Sequence, residues 1–304
     1  MVQANSLKKV IVIVGPTGVG KTKLSIEIAK NYNGNIINAD QSQMHKLLNI
    51  GTAKITEEEM DGITHYFIDT LPPTSTYSIG DFQKEARKVI DNMNELPIIV
   101  GGSGLYVDAL ITDYDLDVSK RNTDFEEKYQ SYSNEELYDL LKKLNSEAAI
   151  KTHPNNRKRV LRYLEVVMEK GTIEKKKNIP YYDALIFFIN QDRDLLYTNI
   201  NKRCEQMFSM GWIDEVKSLM DKGIDISLIK EIGYYDIYRY INNELTKEEL
   251  ITKIQQDTRH YAKRQITWFK NKMNCIELIN DESIEEKMYK YINNFLKGEK
   301  NEIF

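Results

Sequence analysis

Cysteine and histidine are scarce in this chain, and their scarcity argues against two kinds of site. The 304 residues include two cysteines and four histidines. Cys204 and Cys275 lie far apart, and neither belongs to a CxxC pair. The sequence therefore indicates neither a zinc site nor a disulfide framework. We expect both thiols to be reduced and no metal cluster of histidine and cysteine ligands.

Long hydrophobic runs are also missing. No apolar stretch approaches the ~20 residues that are needed to span a bilayer. The first residues, MVQANSLKK, lack the hydrophobic centre of a signal peptide. An apolar share of 41% and a charged share of 29% are ordinary for a globular protein. We expect a cytoplasmic protein without membrane contacts, long enough for one large domain with an insertion.

Acidic residues are absent from two basic segments, although the formal net charge is −4. HPNNRKRVLRYL covers residues 153–164, and TRHYAKRQITWFKNK covers residues 258–272. Both segments mix lysine and arginine with aromatic side chains, which is typical of a surface that binds a polyanion. The alternative is two amphipathic helices with solvated basic faces, and charge does not decide between these interpretations.

The order of apolar runs and helical periods predicts an α/β fold. Helices are expected at about 21–32 and 81–95, between apolar runs that have the length of buried strands. Strands separated by helices predict a P-loop-type parallel sheet with helices on both faces. The predicted strands are KVIVIV (9–14), NIINAD (35–40), LPIIVGG (96–102) and ALIFFIN (184–190).

A polar segment interrupts this pattern. Residues 114–183 are rich in Tyr, Asn, Glu and Lys, and we interpret them as a helical insertion domain. Residues 1–113 and 184–304 are expected to form the catalytic core with C-terminal helices, including a long helix at about 246–270.

The sequence GPTGVGKT, directly after the first predicted strand, is the strongest local signal. Its glycines let backbone N–H groups turn toward phosphate oxygens, and the following helix adds its partial positive charge. Lys21 can reach the terminal phosphates, and Thr22 can ligate Mg²⁺. We therefore predict a diphosphate-binding loop made of Gly15, Pro16, Thr17, Gly18, Val19, Gly20, Lys21 and Thr22.

An acidic residue near this loop indicates what happens to the phosphates. Kinases and NTPases normally hold Mg²⁺ with an Asp at the end of a nearby strand. The run LPIIVGGS ends at Ser103 without an acid, whereas Asp40 ends the second predicted strand. Parallel strands present their carboxyl ends to one crevice. Asp40 is therefore a candidate base that activates a nucleophile while the diphosphate leaves; the alternative is a turn or capping Asp.

Several motifs together resemble the tRNA dimethylallyltransferase family. They follow the family's order from near one end of the chain to the other, and kinases lack the last three of them. The motifs are GPTGVGKT, NADQSQMHKLLNIGTAK (38–54), GITHYFID (62–69), YSIGDF (77–82), LPIIVGGSGLY (96–106), HPNNRKRVLRYLEV (153–166), IGYYD (232–236) and TRHYAKRQITWF (258–269).

The resemblance implies a reaction. The dimethylallyl group of dimethylallyl diphosphate moves to the exocyclic amine of the adenine on the 3′ side of the anticodon in tRNA, with Mg²⁺ as cofactor. Asp40 would orient the amine and take its proton. Ser103 stands where the family has Thr beside the reacting centre. Lys230 stands where relatives carry Arg or Gln, and it would add a contact to the diphosphate.

The resemblance also implies which residues contact the anticodon stem-loop. The target base must leave its stack, and basic and aromatic side chains hold such unstacked bases. The insertion is expected to close over the stem-loop. The implied tRNA-binding residues are Asp40, Gln41, Ser42, Gln43, Lys158, Arg159, Val160, Leu161, Arg162, Gln255, Gln256, Asp257, Thr258, Arg259, His260, Lys263 and Arg264.

The segment after Asp40 departs from the family pattern. Gln41, His45 and Leu47 stand where relatives usually have Ser, Tyr and Gly, and Asn49 replaces a frequent Asp. We expect these changes to lie along the wall that faces tRNA, where they would affect efficiency and the choice of target base.

Three other functions are compatible with parts of the sequence. A P-loop small-molecule kinase would share the phosphate loop. An adenylate isopentenyltransferase would share the loop and the base but prenylate free nucleotide. A non-catalytic tRNA-binding relative would keep the basic segments without turnover. One chain contains a whole site in this interpretation, so a monomer is expected.

Overall fold

The computed structural model describes residues 7–113, 123–170 and 179–299. The chain divides into a core unit, Met1–Thr112 with Pro180–Phe304, and an insertion unit, Asp113–Ile179. The interpretation from sequence extended the insertion to residue 183. Residues 180–183 belong to the core unit instead, because strand pairing with the first strand begins at Asp183. No helix among the described residues is long and apolar enough to cross a membrane.

A six-stranded sheet forms the centre of the core unit, with the order β3-β2-β4-β1-β5-β6 and parallel pairing throughout. The four strands predicted from sequence are confirmed. The two others escaped prediction because runs of two and four residues at the sheet edges are too short for a recognisable pattern. The strands are β1 (Lys9–Val14), β2 (Gly34–Asn38), β3 (His65–Tyr66), β4 (Leu96–Gly101), β5 (Asp183–Asn190) and β6 (Ile276–Ile279).

Helices cover both faces of this sheet. The core-unit helices are α1 (Lys21–Asn31), α2 (Gln41–Met44), α3 (Glu57–Met60), α4 (Ile79–Asn92), α5 (Gly104–Ile111), α10 (Arg193–Ser209), α11 (Trp212–Asp221), α12 (Tyr234–Ile241), α13 (Lys247–Lys272) and α14 (Ile284–Lys297). The insertion-unit helices are α6 (Thr123–Lys128), α7 (Asn134–Leu144), α8 (Ser146–Ile150) and α9 (Arg157–Lys170).

The central strand β1 explains why both faces must be covered. Successive side chains of a strand point to opposite faces. Ile11 and Ile13 belong to one hydrophobic cluster, while Val10, Val12 and Val14 belong to another. All five side chains are fully buried. Such a strand is stable only between two layers of helices, as the unbroken apolar run predicted.

Glu215 on α11 ties the helical layer to the loop that follows α2. Its Oε2 accepts hydrogen bonds from the backbone N–H groups of Asn49 (2.9 Å) and Ile50 (2.8 Å). Its Oε1 accepts from the N–H of Gly51 (3.2 Å) and from the hydroxyl of Tyr234 (2.7 Å). One carboxylate therefore satisfies three loop amides, and it fixes this loop against the cluster around Trp212.

The 26-residue helix α13 crosses the core unit as predicted. A capping box starts it, in which the Thr246 hydroxyl accepts from the N–H of Glu249 and the Glu249 side chain accepts from the N–H of Thr246. Ala262, Gln265 and Phe269 are buried on the side that faces the sheet. The second half of the helix therefore lies against the carboxyl ends of the strands.

The insertion unit has a hydrophobic core of its own. Leu137 and Leu141 of α7 pack with Val160 and Leu164 of α9, and all four side chains are fully buried. Arg157 at the start of α9 donates to the carbonyl groups of Tyr129, Gln130 and Tyr132, and so holds the preceding turn.

Replacing Glu215 tests the anchor on this loop. Glu215→Ala leaves three amides unpaired, so we expect a loss of at least about 2 kcal/mol in the free energy of unfolding. Asp214→Ala is the matched control. Its carboxylate is exposed and pairs with Lys217, so its loss should stay below about 0.5 kcal/mol. Urea denaturation of both variants measures the difference, and equal losses would contradict this role of Glu215.

Candidate active site

The phosphate loop fills the eight positions that begin just after β1. Gly18 and Gly20 have φ values of +81° and +91°, a left-handed conformation that favours glycine. Val19 between them is buried in the hydrophobic cluster under the loop. The loop is thus anchored by one apolar side chain, and α1 begins within its last two positions, at Lys21.

The ammonium group of Lys21 lies at the mouth of this loop. Its Nζ donates to the carbonyl oxygens of Gly15 (2.9 Å) and Pro16 (2.8 Å). Burial lowers the pKa of Lys21 to about 8, although the nearby charge of Asp40 acts in the opposite direction. A desolvated cation held by carbonyl groups is well placed to bind an anion in the phosphate loop.

Asp40 lies where β2 ends, and it is both a cap and a site residue. Its Oδ1 accepts from the N–H (3.2 Å) and the hydroxyl (2.7 Å) of Ser42, which caps α2. Among the described residues, its Oδ2 has no hydrogen-bond partner. The buried Asn38 fixes this strand end, because its side chain bonds to the backbone of Asp40 and Phe67. One carboxylate oxygen of Asp40 is therefore available to a ligand.

A cavity of ≈ 370 Å³ opens beside Asp40, and the described residues that line it all belong to the core unit. It has a polar part and an apolar part, which is typical of small-molecule sites. The polar part includes Thr17, Asp40, Gln41, Ser42, Ser103, Arg203, Thr258, Tyr261 and Arg264. The apolar part includes Ile200, Cys204, Met207, Trp212, Ile232 and Ile254.

A second, more open cleft of ≈ 640 Å³ lies over the phosphate loop, where it is lined by Gly18, Gly20, Lys21 and Thr22. Thr17, Asp40 and Arg203 line both spaces. Asp40 therefore stands at the junction between the phosphate loop and the cavity. This arrangement can hold the phosphates of one substrate on one side of the carboxylate and a second substrate on the other.

Arg203 on α10 is a site residue that the sequence analysis missed. Its Nη2 donates to the carbonyl of Ala53 (3.4 Å), and it forms no ion pair within the described part of the chain. Burial lowers its pKa, while Asp40 opposes that shift. An unpaired guanidinium beside Lys21 is well suited to bind an anion. No motif marked it, since it is one of several basic residues in an ordinary amphipathic helix.

Ser103 and Lys230 both line the cavity, as their candidate roles require. Ser103 precedes α5 and shares the lining of the cavity with Tyr261 of α13. Lys230 is exposed on the segment before α12. Cys204 also lines the cavity, but burial raises the pKa of its thiol to about 11. This thiol is therefore protonated at neutral pH and is no nucleophile.

The unusual residues after Asp40 divide between cavity and interior. Gln41 lines the cavity. His45 is buried instead: its Nδ1 lies 2.9 Å from the carbonyl oxygen of Pro72, and its Nε2 lies 3.7 Å from Glu231 Oε1. Leu47 has a φ of +66° and is exposed. The expectation that all three face tRNA is therefore wrong for His45, because the polar partners that satisfy its ring lie inside the core unit.

The candidate tRNA residues of α13 fall on different faces of the helix. Arg259 donates to Asn201 Oδ1 (2.7 Å) on α10, and Asp257 pairs with Lys253. Gln255 also contacts α10, and Thr258 lines the cavity. The exposed members form one stripe at helical spacing: Gln256, His260, Lys263 and Arg264. We call these four residues the α13 stripe.

The candidate residues of α9 in the insertion unit divide in the same way. Lys158 and Arg159 are exposed. Arg162 pairs with the buried Glu165. Val160 and Leu161 are buried in the core of this unit, because the apolar positions of an amphipathic helix face inward. Their side chains serve the fold and offer no surface to a ligand.

Comparison with known proteins identifies the family. Residues 43–272, well over half of the chain, match the family model described as IPP transferase. A tRNA dimethylallyltransferase from Anoxybacillus flavithermus is 41% identical over 302 residues, which cover 96% of this chain and 97% of the relative. The chain belongs to the tRNA dimethylallyltransferase family. Another member of the family, from Halalkalibacterium halodurans, is 40% identical over 311 residues.

Solved structures of the tRNA dimethylallyltransferase family match the fold. The full-length tRNA isopentenylpyrophosphate transferase from Bacillus halodurans is 40% identical, with a TM-score of 0.71 and 96% of each chain covered. A eukaryotic dimethylallyltransferase, solved as crystallographic snapshots while acting on tRNA, is 26% identical, with a TM-score of 0.85. This match covers 97% of the present chain and 81% of the relative. The family and the fold class predicted from sequence are both confirmed.

Arg203 gives the first test of the site. Arg203→Met removes an unpaired cation from the cavity, so we expect inorganic diphosphate to bind at least about tenfold more weakly. Lys202→Met is the matched control, because Lys202 is the adjacent residue of α10 and is exposed. Isothermal titration calorimetry with Mg²⁺ present measures both constants. Equal weakening in the two variants would show that only general charge matters.

Proposed function

We propose that this protein transfers the dimethylallyl group of dimethylallyl diphosphate to the exocyclic amine of the adenine on the 3′ side of the anticodon in tRNA. One observation carries the proposal. The carboxylate of Asp40, with one free oxygen, lies between a cleft and a cavity. The cations Lys21 and Arg203 line the cleft, and the cavity is partly apolar. A leaving diphosphate and an attacking amine need this order of groups.

The donor side stabilises the departing diphosphate. As the bond between the allylic carbon and oxygen breaks, its electron pair and negative charge move to the diphosphate oxygens. The loop amides other than that of Thr17, together with Lys21 and Arg203, would stabilise that charge as it develops, and groups that are in place beforehand do so most effectively. Lys230, exposed at the edge of the cavity, adds a further positive charge.

The acceptor side prepares the amine. The lone pair of an adenine amine is delocalised into the ring, so the amine is a weak nucleophile. Asp40 Oδ2 accepts a hydrogen bond from the amine and takes its proton as the new carbon–nitrogen bond forms. The bonds from Ser42 to Oδ1 hold the carboxylate in this orientation. Ser103 supplies a hydroxyl beside the same point.

Mg²⁺ is part of the proposal, and the residues fit it. The described residues contain no group of three or more His, Cys, Asp or Glu side chains that could hold a metal. Mg²⁺ does not require such a group, since it keeps several waters and is often bound by few protein oxygens together with substrate phosphates. The Thr22 hydroxyl, exposed in the cleft over the loop, would hold it. When bound, the ion neutralises charge on the diphosphate.

Two exposed basic surfaces would bind the tRNA: the α13 stripe on the core unit, and Lys158 with Arg159 on the insertion unit. The basic side chains of these surfaces would neutralise phosphates of the tRNA. The unstacked base would enter the cavity beside Asp40 and Gln41. One core unit supplies all the described residues that line the cavity, which supports action as a monomer.

The two enzymatic alternatives receive less support. A kinase would transfer a phosphoryl group, but the family match and the lack of an acid at the end of β4 argue against it. A free-nucleotide prenyltransferase shares the donor site but leaves the basic surfaces without a function. The non-catalytic alternative would require a lost base, whereas Asp40 is present and has a free oxygen.

The reaction is tested by transfer of label. Purified protein is incubated with Mg²⁺, labelled dimethylallyl diphosphate and unmodified tRNA that carries consecutive adenines 3′ of the anticodon. We expect label on tRNA and none on AMP. Asp40→Asn keeps the size and the cap of the side chain but is a much weaker base, so it should lower the rate by at least about 100-fold.

Label on AMP alone would move the protein to the free-nucleotide class. Binding of tRNA without transfer would identify the non-catalytic alternative. An Asp40→Asn variant with the wild-type rate would show that Asp40 is a cap and no base.

The α13 stripe gives a separate prediction for tRNA binding. Lys263→Gln removes one phosphate contact, so the slope of log K against log salt should fall by about 0.7–1. Lys270→Gln on the same helix is the control, because Lys270 already pairs with Glu277. Filter binding at several salt concentrations measures both slopes. An unchanged slope for Lys263→Gln would place the tRNA elsewhere.

A further inference from the structure

Gln265 on α13 joins the two loops that form the donor side of the site. It is 5% exposed. Its Oε1 accepts a hydrogen bond from the backbone N–H of Thr17 in the phosphate loop, and its Nε2 donates to the carbonyl of Gly102, each at 2.9 Å. One uncharged side chain therefore spans from the end of β1 to the end of β4.

The fit around this side chain is tight. A Cβ atom at Gly102 would lie 2.1 Å from Gln265 Nε2. Only glycine at position 102 therefore allows the strand end to lie so close to the carboxamide. Gly102 directly precedes Ser103. A shift of the carboxamide would therefore move the residue that lines the cavity beside Asp40.

The hydrogen bond to Gln265 also limits what Thr17 can bind. Its backbone N–H is committed to Gln265, so in this arrangement it does not donate to a phosphate. The conformation of Thr17 is therefore held by α13, while Gly18, Gly20, Lys21 and Thr22 line the cleft.

Tyr261 lies one helical turn before Gln265 and lines the cavity together with Ser103. Asp40 and Arg264 are the charged groups that act on it. Gln265 thus connects the phosphate loop to the strand end that carries Ser103, directly behind the cavity.

We propose that Gln265 is a positioning residue for the transfer reaction, and that it sets the distance between the phosphate loop and Ser103. The proposal rests on the proposed function. The side chain acts through the backbone of Thr17 and Gly102 and touches no reacting atom. It holds the leaving group and the base in register, where small displacements lower the rate strongly.

A structural role is the alternative, in which Gln265 only satisfies buried polar groups. Gln83 on α4 provides the comparison. It is 9% exposed, and its Nε2 donates to the carbonyl of Ala109 at 2.7 Å, in packing that contributes no residue to the cavity. Gln83→Met and Gln265→Met remove buried hydrogen bonds of the same kind at two places.

The experiment compares Gln265→Met, Gln83→Met and the wild type. We measure single-turnover transfer, KM for tRNA, binding of inorganic diphosphate with Mg²⁺, and thermal unfolding. We expect Gln265→Met to lower the transfer rate and to weaken diphosphate binding, each by at least about tenfold, with little change in KM for tRNA. Gln83→Met should lose similar thermal stability and keep a transfer rate within about twofold of wild type.

Gln265→Glu supplies a signature that a structural role does not predict. An ionised carboxylate accepts from Thr17 but cannot donate to Gly102, whereas a protonated carboxyl group does both, as the native amide does. The rate of Gln265→Glu relative to wild type should therefore rise as the pH falls from about 8 to about 6. Taking the ratio at each pH cancels any pH dependence that the two proteins share, because the nearby charged groups Asp40, Lys21 and Arg264 are the same in both.

The outcomes separate the two hypotheses. Wild-type rate and diphosphate affinity in Gln265→Met would overturn the positioning role. A flat pH ratio for Gln265→Glu would do the same. No transfer by the wild type would refute the proposed function, while the loss of diphosphate binding in Gln265→Met would still test the positioning of the loop. Should Gln265→Met fail to fold, Gln265→Glu keeps the size of the side chain and carries the test through its pH ratio.

Discussion

The parallel pairing of β1 with its neighbours is the constraint on which the site depends. Val14 is in register with Gly101, and Asn38 is in register with Val100, so β1, β2 and β4 end at nearly the same level. The residues that follow these ends are the phosphate loop, Asp40 and Ser103. A sheet with another strand order, or with an antiparallel strand at its centre, would scatter these groups. The register of the parallel strands therefore determines where the groups of the site lie.

The same geometry concentrates positive charge. Lys21 and Arg203 both come close to the end of β2, and burial lowers the pKa of each. Two desolvated cations side by side are unfavourable in the unliganded protein, and Asp40 offsets this repulsion in part. A bound diphosphate would relieve the rest, because it supplies several negative charges at the same place. The unliganded site therefore favours a bound diphosphate electrostatically. In the proposed reaction, this effect grows as the bond between the allylic carbon and the diphosphate oxygen breaks.

The sequence predicted the parts of the site that are local. The phosphate loop, the Asp at the end of β2 and the long helix α13 are each encoded by a few neighbouring residues, and the structure contains them where expected. It did not reveal Arg203, Gln265 or Glu215, because their roles exist only once distant segments meet. The resemblance also failed to separate surface from core within a motif, as Val160 and Leu161 illustrate. Their neighbours Lys158 and Arg159 are exposed on the same helix, and only the packing of the insertion unit distinguishes them.

Contacts with its backbone hold the unusual segment after Asp40 in place, and the changed side chain of Asn49 adds to them. Glu215 binds the amides of residues 49–51, and Lys54 donates to the carbonyl of His45 (2.6 Å) and to Asn49 Oδ1 (2.9 Å). Leu47 occupies a left-handed conformation that costs about 1–2 kcal/mol in a residue other than glycine, so the surrounding contacts must outweigh that strain. Because the loop is fixed from both sides, substitutions within it alter what it presents to a partner while the position of Asp40 stays the same. This argues that the departures bear on recognition of the acceptor more than on the transfer step.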